Sequence, residues 1–68
     1  MNDDTFNISL RKFLKMVGVS SQREIEQAVA KALAEGTITG TEKMPATMTL
    51  DIGALKLSVK FEGKVELE

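Results

Sequence analysis

The sequence contains no cysteine, histidine, tyrosine or tryptophan. Without cysteine, neither a disulfide nor a thiolate metal site can stabilise the fold. Without histidine, general acid–base chemistry would depend on carboxylates and lysines, and no serine has an imidazole to activate it. These absences argue against an enzyme, and the sequence predicts no catalytic residue, no cofactor and no metal.

Long apolar runs and an excess of positive charge are absent as well. No run approaches the roughly 18 apolar residues of a membrane span, and the chain starts with acidic residues where a signal peptide is basic. We therefore expect a cytoplasmic protein that does not enter a membrane. The formal net charge is −1 and the pI about 5.4, which argues against nucleic acid as a partner because nucleic-acid-binding domains usually carry a basic excess.

The 68 residues are 43% hydrophobic and 28% charged, which is typical of a globular chain. One small domain over residues 1–68 is expected. A chain this short buries only roughly 60% of the surface that it exposes when unfolded, so its stability is marginal unless it packs well or associates. We therefore expect a protein partner or a homodimer.

The beginning of the chain has the apolar spacing of an amphipathic helix, predicted over residues 3–17. Asn2 or Asp3 can cap its start, and Gly18 supplies a left-handed stop. Basic side chains near its end would oppose the helix dipole favourably. Its apolar stripe consists of Phe6, Leu10, Phe13, Leu14 and Val17.

A second helix is predicted over residues 21–35. Ser21-x-x-Glu24 has the spacing of a capping box, in which the two side chains satisfy the first free N–H groups of a helix. Gly36 would end the helix. Its apolar stripe consists of Ile25, Ala28, Val29, Ala32 and Leu33.

The last third alternates apolar and polar residues with period two, which predicts strands over residues 46–52 and 55–61. Gly53-Ala54 suits a two-residue type II′ turn between them. The expected apolar pairs are Ile52 with Leu55, Leu50 with Leu57, Met48 with Val59 and Ala46 with Phe61, and the expected polar pairs are Asp51 with Lys56, Thr49 with Ser58 and Thr47 with Lys60.

A third strand is predicted over residues 65–68, after a connection at Glu62–Lys64. That connection would place Val65 and Leu67 on the apolar face. The register of this second hairpin, and whether Thr37–Pro45 contains a further strand, stay open. The expected fold is α+β, with two N-terminal helices packed on one face of a three-stranded antiparallel β-meander in the order ααβββ.

The segment "GVS" at residues 18–20 resembles the turn of a bacterial helix-turn-helix repressor. Three features oppose that interpretation. Leu14 stands where the motif has a small residue, and Glu24 stands where it has a buried apolar one. The outward face of the second helix is also mixed in charge, whereas contact with phosphates needs a positive face. A structural corner between two helices fits better.

A candidate interaction surface lies on the first helix. It is defined by the residues Ile8, Arg11, Lys12, Lys15 and Met16. The basic cluster within it supports an alternative function, a nucleic-acid-binding module of helix-turn-helix or winged type. The sheet edges at Val65–Glu68 and Ala46–Ile52 are further candidate contacts.

Acidic residues offer the only other grouping of functional side chains. Asp3 and Asp4 lie at the start of the chain, and Glu62, Glu66 and Glu68 lie near its end. The glutamates could form a weak oxygen-ligand site for a hard cation, but a charged edge strand that resists aggregation explains them better.

Three segments together carry a resemblance to a known family: "RKFLKMVGV", "SQREIE" and "PATMTLDIGALKLSVKFEGKVELE". They resemble a family of short, uncharacterised bacterial proteins grouped as a domain of unknown function. The resemblance implies a free-standing bacterial protein and transfers no activity, cofactor or functional residue. We predict a small non-enzymatic protein that binds another protein or itself.

Overall fold

The computed structural model describes residues 1–68 and separates into two compact units, Met1–Glu35 and Gly36–Glu68. The first unit is a helix, and the second is a loop followed by a β-hairpin. The elements are helix α1 over Asp3–Glu35, strand β1 over Lys43–Ile52, a 3-10 turn over Gly53–Leu55 and strand β2 over Leu57–Glu66.

Helix α1 is one uninterrupted helix of 33 residues, about 50 Å long. The predicted break between residues 17 and 21 is wrong. Gly18 has no positive φ, so it continues the helix at a cost of about 1 kcal/mol relative to alanine. Ser21 and Glu24 lie within α1 and do not cap a second helix.

The two ends of α1 were predicted correctly. The Asn2 side-chain oxygen accepts a hydrogen bond of 3.0 Å from the Thr5 N–H, as expected for an N-cap. The Asn2 carbonyl oxygen accepts another from the Phe6 N–H, also at 3.0 Å. After Glu35, Gly36 has a φ of 76°, the left-handed conformation in which many helices end.

The two predicted apolar stripes lie on different sides of α1. With about 100° of rotation per residue, the stripe that includes Phe13 and the stripe that includes Ile25 are offset by about 80° around the helix axis. A bend at Gly18 could have aligned them, but the continuous helix keeps them apart. The two stripes therefore overlap only in part around the helix.

The second unit contains a two-stranded antiparallel sheet, and the predicted third strand is wrong. Strand β2 passes through Glu62–Lys64 without turning and includes Val65. Side chains alternate between the two faces of a strand, so Phe61 and Val65, four residues apart, reach the same face when the strand simply continues. A turn at Gly63 would need a bulge to do the same. The ααβββ fold is therefore replaced by one helix and one long hairpin.

The turn of the hairpin contains four residues, Gly53–Lys56, and not the two that were predicted. The Lys56 N–H donates to the Gly53 carbonyl oxygen at 3.0 Å, and Lys56 has a φ of 52°. Four-residue hairpin loops are commonly built in this way around a tight turn. The longer turn pairs Ile52 with Leu57.

The register of the hairpin consequently differs from the prediction by two residues. Because side chains alternate with period two, a shift of two keeps each residue on its predicted face. The apolar pairs are Met44–Val65, Ala46–Gly63, Met48–Phe61, Leu50–Val59 and Ile52–Leu57, and the polar pairs are Lys43–Glu66, Pro45–Lys64, Thr47–Glu62, Thr49–Lys60 and Asp51–Ser58.

Candidate interaction surfaces

One face of the hairpin is apolar along its whole length. No side chain in either unit is buried, and on this face Phe61 is 58% exposed and Met48 is 46% exposed. A contiguous exposed apolar surface on a small protein commonly marks a binding site. We call this surface the apolar sheet face and define it by Met44, Ala46, Met48, Leu50, Ile52, Leu57, Val59, Phe61 and Val65.

The two edges of the sheet differ in their capacity to pair with another strand. The Leu67 N–H donates to the Glu42 carbonyl oxygen at 3.0 Å, which extends the ladder by one pair beyond β1 and β2. Odd-numbered residues of β2 therefore direct their peptide groups towards β1, and even-numbered residues direct theirs outward. On β1 the outward set is odd-numbered and includes Pro45, which has no N–H to donate.

The loop before β1 is closed by the Glu42 carboxylate. Its Oε2 atom accepts hydrogen bonds from the Thr39 N–H at 2.8 Å and the Thr39 hydroxyl at 3.2 Å. Its Oε1 atom accepts from the Gly40 N–H at 2.9 Å and the Thr41 N–H at 3.1 Å. The positive φ of 98° at Gly40 lets consecutive N–H groups converge on one carboxylate.

These hydrogen bonds lower the pKa of Glu42 from 4.5 to about 2. The bond from the Thr39 N–H is the largest cause, and it outweighs the partial desolvation that raises the pKa. Sequence reasoning missed Glu42 and left open whether its segment, Thr37–Pro45, contains a further strand. The signal that could have identified it is "TGTE", in which a glycine flanked by threonines precedes a carboxylate.

The whole chain, residues 1–68, matches the model of a family described as "Family of unknown function (DUF6494)". This chain belongs to the DUF6494 family. The match confirms the resemblance found in the sequence. No curated protein and no solved structure matches the chain. No function is assigned to the DUF6494 family. Membership of the family therefore identifies no functional residue in this chain.

The predicted helix surface of this DUF6494 chain is exposed, as is most of α1. Ile8 is 67% exposed and Met16 is 54% exposed, and the three basic residues are exposed as well. The five residues occupy about 140° of the helix circumference. Arg11, Lys12 and Lys15 lie in the middle of α1, whose last turn contains no basic residue. Their predicted role in opposing the helix dipole is therefore wrong.

The acidic residues are not brought together as a metal site. No group of three acidic residues in this DUF6494 chain could hold a metal ion. Glu62 borders a shallow pocket of about 430 Å³ whose side chains belong mainly to the polar face. The pocket is lined by Pro45, Ala46, Thr47, Glu62, Gly63 and Lys64.

Neither helical segment combines the length and the apolar character that crossing a lipid bilayer requires.

Proposed function

We propose that this chain is a small, non-enzymatic protein that works by binding protein, with a second copy of itself as the first partner. The apolar sheet face is the observation that carries the proposal. Its largest side chain, Phe61, is more than half exposed in the chain alone. Burying a side chain of this kind contributes about 1.5–3 kcal/mol, so a partner that covers the face is strongly favoured.

The hairpin itself supplies a second argument. An isolated two-stranded hairpin is marginally stable in water, because it has no other element against which its apolar face can be buried. Each strand here has ten residues, and one face of both is apolar. A chain with this hairpin gains stability from whatever covers that face, and a second copy is always present at the same concentration.

The first test is the mass of the full chain in solution. Sedimentation velocity should give a mass that rises towards twice 7.4 kDa as the concentration increases. Replacing Phe61 by threonine should shift the dissociation constant upward by about tenfold or more, since threonine favours strands but lacks the apolar area.

The matched control is Asp51→Thr, on the polar face of the neighbouring strand, which should leave the dissociation constant within a factor of about three. A chain that stays monomeric at millimolar concentration would contradict self-association. Equal effects of the two substitutions would contradict the role of the apolar sheet face.

A nucleic-acid-binding role through Arg11, Lys12 and Lys15 stays a prediction. The helix-turn-helix on which both the plain and the winged type depend is absent, because α1 is continuous. The apolar surface is therefore the better supported site. The location in the cytoplasm stays a prediction, and the absence of cysteine is consistent with it.

A further inference from the structure

We propose that two copies of this chain pair through the outer edge of β2, antiparallel and about a two-fold axis at Gly63. The two hairpins would then form one four-stranded sheet. This inference rests on the proposed self-association and specifies a contact at the sheet edge, with its register and symmetry, beside the contact that the apolar sheet face offers. The partner is a second copy, and the argument comes from the free edge, the order of charges and the position of Gly63.

Only the β2 edge can pair along its full length. Apart from the ladder with β1, no backbone hydrogen bond involves residues 57–66, so the outward peptide groups of the even-numbered residues are available. The β1 edge is interrupted by Pro45, the single proline of the chain. A proline blocks strand addition because it removes one donor. Edge-to-edge pairing is therefore directed to β2.

The charges on β2 favour the register with the axis at Gly63 over the registers shifted by two residues. Lys60, Glu62, Lys64 and Glu66 alternate in sign along the polar face. With the axis at Gly63, Lys60 faces Glu66 of the second copy and Glu62 faces Lys64 of the second copy. By symmetry, all four charged cross-strand pairs are then of opposite sign, which stabilises neighbouring strands.

The neighbouring registers are disfavoured by the same charges. A shift of two residues in one direction places Glu62 opposite its own copy and Lys60 opposite Lys64. A shift in the other direction places Lys64 opposite its own copy and Glu62 opposite Glu66. A shift of one residue would exchange the faces and put apolar side chains opposite charged ones.

The apolar side of the strand agrees with this register. Phe61 would face Val65 of the second copy, and Val59 would face Leu67 of the second copy. Phe61 is then partly covered by its cross-strand neighbour, and the apolar sheet faces of the two copies lie side by side as one surface that a further partner can cover. At the axis Gly63 faces Gly63 in a pair without hydrogen bonds, where the two Cα atoms approach to about 4.5 Å.

Alternating charge at a sheet edge has a competing explanation, which is protection of a solvated strand against aggregation. The two explanations differ in what charge reversal does. Charges that only protect the edge against aggregation can follow one another in any order of sign. Charges that pair with a second copy need the order of signs found in β2.

The first experiment reverses charges in the full chain and follows its mass by sedimentation. Glu62→Lys and Lys64→Glu should each raise the dissociation constant by about tenfold or more, because each creates two like-charge pairs between the copies. Within the hairpin these two residues face the uncharged Thr47 and Pro45. The double variant should return the constant to near the wild-type value. A double variant as weak as the singles, or singles that match the wild type, would overturn the register.

The second experiment uses the absence of cysteine in the natural chain. In Gly63→Cys, a Cβ atom meets nothing within 4 Å and the backbone needs no positive φ, so the variant should fold. The paired Cα atoms would fall within the roughly 4.4–6.8 Å range of a disulfide. Mild oxidation at low concentration should therefore give a covalent dimer.

The control for cross-linking is Thr47→Cys on β1, because the two Thr47 residues of the four-stranded sheet would lie at least about 14 Å apart. That variant should remain uncross-linked under the same conditions. Equal rates for the two variants would overturn the proposed axis.

The outcomes separate this inference from the proposed function. A chain that associates, but whose charge reversals have no effect and whose Gly63→Cys variant does not cross-link, would reject the β2 edge and leave the association intact. A chain that never associates would reject both.

Discussion

Two glycines in similar sequence settings have opposite conformations. Gly18 lies inside α1, and Gly36 lies after its last residue with a φ of 76°. Both positions are open, since a Cβ atom built on either meets nothing within 4 Å. Their response to substitution therefore depends on the backbone alone.

Gly18→Ala should stabilise the chain by about 1 kcal/mol, because alanine loses less conformational entropy in a helix than glycine does. Gly36→Ala should destabilise it by about 1–2 kcal/mol, because a Cβ atom is strained in the left-handed region. Urea denaturation followed by circular dichroism measures both changes. Destabilisation by Gly18→Ala would indicate a helical corner at that residue in solution.

Glu42 is expected to give the loop before β1 a specific pH dependence. Its pKa is lowered from 4.5 in the unfolded chain to about 2 in the folded one. The stabilisation by the ionised carboxylate is therefore complete above about pH 4.5 and is lost as the pH falls towards 2. Carboxyl carbon shifts in an NMR titration should give a midpoint near pH 2.

Glu42→Gln provides the control for this titration, because the amide keeps an acceptor oxygen but carries no charge. The variant should be less stable than the wild type at pH 7, and the difference should shrink between pH 4.5 and 2. A difference that is constant over this range would show that the carboxylate charge does not hold the loop.

At the scale of elements, the faces of the hairpin could be predicted from the sequence and its turn could not. Period-two alternation assigned Met48, Leu50, Val59 and Phe61 to one face, and the structure confirms that face. The turn was predicted with two residues because Gly53 is favoured at the first position of a type II′ turn. The structure instead adds Leu55 and Lys56 to the turn, and Lys56 takes the left-handed conformation that usually favours glycine or asparagine.

Lys56→Gly should stabilise the hairpin by up to about 1 kcal/mol, because glycine adopts the observed φ without the strain of a Cβ atom. Ser58→Gly, two residues later in β2, should destabilise it by about 0.5–1 kcal/mol, since glycine weakens a strand. Urea midpoints of the two variants measure the contrast. Changes of the same sign would contradict the four-residue turn.

Helix α1 shows why the remaining part of the fold could not be predicted. The caps at Asn2 and Gly36 act through local hydrogen bonds and φ, and both were identified from the sequence. At residues 18–24 the local signals are ambiguous, because glycine and a Ser-x-x-Glu pattern are tolerated inside a helix as well as at a corner. No local rule decides between the two outcomes, and the continuous helix is the one observed.

At the scale of the whole molecule, the candidate site is a surface and not a cluster of reactive groups. The sequence indicated this through the residues that it lacks, and it supplied most members of the apolar sheet face. It could not supply the register of the hairpin. The sequence also predicted a third strand that would have paired with the outer edge of β2, and the continuous strand β2 instead leaves that edge open to a second chain. Predicting Glu42 would also have required the conformation of the loop that surrounds it.

The two-residue difference between the predicted and observed turns has an evolutionary consequence. Gain or loss of two residues between Ile52 and Leu57 leaves every side chain of the hairpin on its own face. Gain or loss of one residue would turn one strand over and exchange apolar for charged side chains. Insertions and deletions tolerated at this turn among relatives should therefore come in even numbers.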